Sequence, residues 1–108
     1  MPLREITAAE AARLLADEAE RTVLLDCRED EELAIASIAG ALHIPMGDIP
    51  SRLPELDPEK RYVVCCHHGV RSAQVCLFLA SNDFDDVANL RGGIDAWSRE
   101  VDPDVPRY

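Results

Sequence analysis

The chain has 108 residues, enough to bury one core and too few for two independent ones. Its 21 acidic against 11 basic side chains leave a formal net charge of −10, which argues against general affinity for nucleic acid or for anionic membranes. No apolar run approaches the roughly 20 residues that cross a bilayer, and the opening MPLREITAAEAARLL lacks a signal-peptide pattern, so a cytoplasmic protein is expected.

Thr7-Ala8-Ala9-Glu10 has the form of a capping box, and Ala11, Leu14 and Leu15 continue it as an apolar stripe, predicting a helix to about Glu18. Val23-Leu24-Leu25 follows as a short buried strand ending at Asp26-Cys27-Arg28. The acidic run Glu29 to Glu32 is favoured at a helix N-terminus and reads as the solvated face of a second short helix. Ala41 to Ile44 is a strand stopped by Pro45, and Gly47 to Leu53 a short helix closed by Pro54.

Tyr62-Val63-Val64-Cys65-Cys66 is an unbroken apolar run, as in a strand covered on both faces. From Arg71 or Ser72 the spacing turns helical, with Ala73, Val75, Cys76, Leu77, Leu79 and Ala80 apolar as far as Asn82. Val87 to Leu90 is a last strand, Gly92-Gly93 a turn, and Ile94 to Arg99 a closing helix anchored by Trp97. Residues 101–108, with Pro103 and Pro106, form a tail that packs along the surface or frays. Strands alternating with helices predict a single α/β domain over 1–108: three layers, with a mainly parallel central sheet flanked by helices on both faces.

Ligands of such sheets bind beyond the carboxyl ends of the strands, where Cys66 falls. If residues 67 to 70 curl between strand and helix, successive backbone N–H groups form an anion-holding concavity at the helix start. Gly69 allows the tight turn, and Arg71, His67 and His68 add positive charge. Such a cradle favours a thiolate, the nucleophilic form of cysteine.

Four cysteines without C-x-x-C spacing do not form a disulfide framework. Cys76 on the apolar helix face, and Cys65 pointing opposite to Cys66 along the strand, read as inert core residues. Cys27, also at a strand end, reads as packing with an outside chance of lying near the site. Metal binding by Cys65-Cys66-His67-His68 ranks below the reactive-sulfur reading, because strand neighbours point to opposite sides and structural zinc sites use spaced pairs. A vicinal Cys65–Cys66 disulfide ranks lower, since closing it distorts the strand. No metal or other cofactor is expected.

Four segments, in order, resemble the rhodanese-like domain family. Leu24-Leu25-Asp26-Cys27-Arg28-Glu29 is similar to its opening strand and turn, and Gly40 to Pro45 to its Gly-Ala-x-x-Ile-Pro segment. Val63 to Ser72 is similar to its active strand and loop, and Val87 to Trp97 to its closing strand, Gly-Gly turn and helix. Ala36-Ser37 replaces the usual Gly-His before Ile38, Cys65 stands where an aromatic often precedes the reactive cysteine, and His67 and His68 stand where many thiosulfate-using members carry Arg or Lys.

The resemblance implies a sulfurtransferase in which Cys66 becomes a persulfide. The loop His67, His68, Gly69, Val70, Arg71 and Ser72 would receive a small anionic sulfur donor such as thiosulfate, and a protein or small-molecule thiol would accept the sulfur. Asp26 and Arg28 are expected to brace the loop as a structural pair. A cysteine phosphatase or arsenate reductase is the rival enzyme, but Cys66 to Arg71 is Cys-x4-Arg where phosphatase loops have Cys-x5-Arg. A non-catalytic binding module is the third reading, and it gives no reason to keep an anion cradle.

Overall fold

The computed structural model describes residues 4–108, so the first three residues of the opening stretch lie outside it. Five strands, β1 (Glu5–Ile6), β2 (Thr22–Asp26), β3 (Leu42–His43), β4 (Arg61–Cys65) and β5 (Val87–Leu90), form one sheet in the order β1-β5-β4-β2-β3, every pair parallel. The intervening helices are α1 (Ala8–Asp17), α2 (Asp30–Ile35), α3 (Ile49–Arg52), α4 (Val70–Ser81) and α5 (Gly93–Glu100).

The capping box forms as its residue types require. Thr7 Oγ1 accepts from the Glu10 amide at 3.1 Å, and Glu10 Oε1 accepts from the Thr7 amide at 3.0 Å, satisfying two orphan donors of α1. Two apolar clusters then clothe the sheet. Ala8 and Ala11 of α1 and Ile94 and Trp97 of α5 pack with Leu24, Val63 and Ala88 on one face. Val75, Cys76 and Leu79 of α4 and Ile49 of α3 pack with Leu25, Tyr62 and Val64 on the other. The period-2 alternation of β4 sends Cys65 into the first cluster and Cys66 into the second. Because both faces are covered, Val63 and Val64 are each fully buried, worth about 1.5–3 kcal/mol apiece.

The differences from the sequence reading have local causes. β1 is two residues long, too short to show a periodicity. The strand expected over Ala41–Ile44 pairs only at Leu42–His43, on the sheet edge. In place of one helix from Gly47 to Leu53, two 3-10 turns (Met46–Asp48 and Leu53–Glu55) flank α3, and Pro54 lies inside the second turn, where its missing N–H costs nothing. α4 begins at Val70, and Leu77, expected on its buried face, is 54% exposed. The tail packs, with Val105 buried in the first cluster and Tyr108 against it.

Candidate active site

β4 ends at Cys65 and α4 begins at Val70, leaving Cys66, His67, His68 and Gly69 to turn the chain. Gly69 makes the turn at φ +110°, a left-handed conformation open to glycine without strain. Donors from α5 and β5 reach three of the loop's four carbonyls. The Ile94 amide donates to the Cys66 carbonyl at 2.8 Å, the Asp95 amide to that of His67 at 3.3 Å, and Asn89 Nδ2 to that of Gly69 at 3.0 Å. Gly93 permits this approach of α5: at its φ of +60°, a Cβ would lie 2.3 Å from the Cys66 oxygen.

With those carbonyls engaged, the Gly69 N–H points at the Cys66 sulfur and donates to it at 3.0 Å. Ser72 Oγ lies 3.3 Å from the same sulfur. Burial alone would push the Cys66 thiol up, but the Ser72 hydroxyl and the amides of Ser72, Gly69 and Arg71 outweigh it and hold the thiol below its ordinary value of 9.0. The other thiols move the opposite way. Burial pushes Cys27 and Cys76 up to about 12 and raises Cys65 well above the ordinary range. Cys27 shares the second cluster with Cys66, but its own sulfur donates to the Cys65 carbonyl at 3.4 Å.

Cys66 itself is 1% exposed, so its sulfur forms the floor of the loop. Val70 stands 72% exposed at the start of α4, and His68 is exposed beside it. His67 is sandwiched, its ring centroid 4.0 Å from that of His68 and 3.9 Å from that of Tyr108, the latter ring nearly parallel to it at 8°. His67 Nε2 is buried and has no hydrogen-bond partner among the described residues.

Arg71 is engaged. Its two terminal nitrogens meet the Glu32 carboxylate at 2.6 and 2.7 Å, a bidentate pair. That contact, against burial, brings the Glu32 carboxyl down to about 2. Reading Glu29–Glu32 as a solvated face is therefore corrected at Glu32, because α2 turns this one carboxylate inward over the loop. Tyr108 closes the arrangement by donating its hydroxyl to Glu32 Oε1 at 2.9 Å and accepting from Arg28 Nη1 at 2.9 Å.

Asp26 and Arg28 form a buried ion pair at 2.7 Å, and Arg28 also donates to the Ala36 carbonyl at 2.8 Å. The pair thus ties the end of β2 to α2, whose Glu32 in turn holds Arg71. Asn89, Glu32 and Tyr108 were not singled out from the sequence. Asn89 left a signal, since asparagine is disfavoured inside a strand. Glu32 stood among like charges and left none.

The family model of the rhodanese-like domain matches residues 7–100. YtwF of Bacillus subtilis is 45% identical over 104 residues, covering 95% of this chain and 98% of its own. A protein of Allochromatium vinosum named Sulfurtransferase is 39% identical over 103 residues, covering 95% of each. The crystal structure of a rhodanese-like domain protein from Staphylococcus aureus superposes with a TM-score of 0.82 at 34% identity, over 98% of this chain and 99% of that one. By sequence and by structure, the chain belongs to the rhodanese-like domain family.

Proposed function

We propose that the protein is a sulfurtransferase that carries sulfane sulfur on Cys66. The observation that bears most weight is the Gly69 amide 3.0 Å from the sulfur, in a loop with the carbonyls of Cys66, His67 and Gly69 bound elsewhere. The Cys66 thiolate attacks the outer sulfur of a donor such as thiosulfate or a persulfide. A sulfur–sulfur bond forms at Cys66 as the donor's own sulfur–sulfur bond breaks, and sulfite or a thiolate leaves with the electron pair. An acceptor thiolate then attacks the outer sulfur and releases the Cys66 thiolate, so the cycle is balanced without a cofactor.

The inward amides stabilise negative charge on either sulfur, which is what both halves of the cycle need. A sulfur at the floor of a four-residue turn suits the transfer of a single atom better than of a phosphoryl group. His67, His68 and Arg71 frame the mouth, Ser72 supports the sulfur, and Asp26 and Arg28 brace α2 behind it. Among the described residues no helix is long and apolar enough to cross a membrane. We place the protein in the cytoplasm, acting as one unit with residues 101–108 as its tail.

The test is intact-protein mass spectrometry after exposure to thiosulfate and, separately, to a low-molecular-weight persulfide. One added sulfur atom is expected, absent in Cys66→Ser and retained in Cys65→Ala. Sulfur added in Cys66→Ser, or by neither reagent, overturns the reading.

A further inference from the structure

Asn89 sits in β5, 2% exposed, with every polar atom of its side chain engaged. Its Nδ2 faces two oxygens, the Gly69 carbonyl at 3.0 Å and Glu5 Oε2 at 3.4 Å. A carbonyl only accepts, so the amide nitrogen must be the atom on that side, and Oδ1 must be the atom facing Ser72 Oγ. Oδ1 also only accepts. The single proton of the Ser72 hydroxyl is therefore given to Asn89, and the hydroxyl presents a lone pair to the Cys66 sulfur 3.3 Å away.

That arrangement suits a thiol, whose S–H can donate to the lone pair. It does not suit a thiolate, because two electron-rich atoms would then face each other. When Cys66 loses its proton, the Ser72 hydroxyl must rotate toward the sulfur, and buried Oδ1 of Asn89 is left without a donor. The Ser72 proton stays on Ser72 throughout and only its acceptor changes.

We propose that Asn89 is a positioning residue that competes with Cys66 for the Ser72 hydroxyl, holding the sulfur as a thiol until ionisation turns that hydroxyl around. Its amide nitrogen meanwhile fixes Gly69, whose N–H holds the sulfur from the other side. Other charged or titratable groups around this set are Arg71, Cys27 and Cys76 near Cys66, His67 and His68 in the loop between Cys66 and Gly69, and Glu5 beyond Asn89, itself paired with Arg91 at 3.6 Å. No side chain of these groups has a hydrogen bond to the Cys66 sulfur among the described residues. The inference deepens the sulfur-transfer reading and rests on it for its consequence alone.

The test follows the thiolate's far-ultraviolet absorbance against pH in Asn89→Leu, alone and with Ser72→Ala. With no acceptor at position 89, the hydroxyl is free for the sulfur, and the ionisation midpoint falls by about one pH unit, a tenfold change in the constant. With Ser72→Ala present, Asn89→Leu produces no such fall. If Asn89 merely supported the loop, its loss would loosen the Gly69 amide and raise the midpoint, which would overturn the proposal. An equal fall in both backgrounds would overturn it too.

Should Asn89→Leu not fold, the wild-type protein carries the test. The side-chain amide resonance of Asn89 then shifts with the midpoint of Cys66, and a flat response sinks the proposal. No sulfur donor is present in any arm, so failure to load sulfur leaves these outcomes readable and is charged to the functional reading instead.

Discussion

Substituting Gly93 by alanine strikes at the contact that shapes the loop. The new Cβ would meet three backbone atoms, the Cys66 oxygen at 2.3 Å, the His67 oxygen at 2.5 Å and the His67 carbonyl carbon at 2.6 Å. None is the end of a flexible side chain, and both oxygens already accept amide hydrogens from α5. Holding a non-glycine residue at φ +60° costs roughly 1–2 kcal/mol. Forcing the extra methyl between α5 and the loop adds about 1–3 kcal/mol, for ~2–5 kcal/mol together. Gly40 supplies the control: its φ is +83°, but no atom lies within 4 Å of the place a Cβ would take there, so Gly40→Ala bears only the first cost. Urea denaturation of both variants at matched slope gives the comparison, with iodoacetamide labelling of Cys66 reporting the cradle. Gly93→Ala is expected to lose more stability than Gly40→Ala and to label more slowly at neutral pH. Equal losses with unchanged labelling would mean that the start of α5 does not set the direction of the loop amides.

Two further outcomes concern the ion pairs behind the site. Arg71, against burial, holds the Glu32 carboxyl at about 2 in the folded protein, below its ordinary 4.5. A lowered folded value makes its stabilisation complete above the unfolded value and lost as pH falls through the folded one. Thermal melts should therefore show wild type above Glu32→Gln at neutral pH, with the gap closing between about 4.5 and about 2; a gap that persists in acid would remove the carboxylate as its cause. Arg28→Ala leaves Asp26 buried without its cation and should cost about 3–5 kcal/mol by denaturation. The Asp26→Ala, Arg28→Ala double variant should lose less than the sum of the singles, and strict additivity would deny the pair its coupling.

The parts of the site that were legible in sequence are those made by neighbours along the chain. An apolar run, a glycine and a helical spacing place Cys66 just past the end of β4, and strand alternation alone separates it from Cys65. The parts that were not legible are made by distant residues. Arg71 meets Glu32 across 39 positions, Tyr108 meets Glu32 across 76, and Ser72 meets Asn89 across 17. Nothing local distinguishes Glu32 from the acidic residues before it, since only the docking of α2 decides which carboxylate turns inward. A tail with two prolines announces that it is not helical, but it does not announce that its tyrosine will stack on His67.

The closure of Arg71 by Glu32 changes which force holds the sulfur. A free guanidinium at the mouth would act as a point charge, strongest at one distance and weakened by salt. Here that charge is met by a carboxylate at 2.6 Å, and the hydrogen bonds to the sulfur come from a backbone amide and a hydroxyl. The amide is fixed by the fold, through α5 on one side of the loop and Asn89 on the other, so it needs no reorganisation when charge appears, while the hydroxyl turns to meet that charge. In the proposed cycle, persulfide formation would move the terminal charge outward by one sulfur–sulfur bond, about 2.05 Å. The amides of Gly69, Arg71 and Ser72 could follow that movement better than one paired arginine, which makes the direction of the loop's peptide groups the property on which both halves of the proposed transfer would depend.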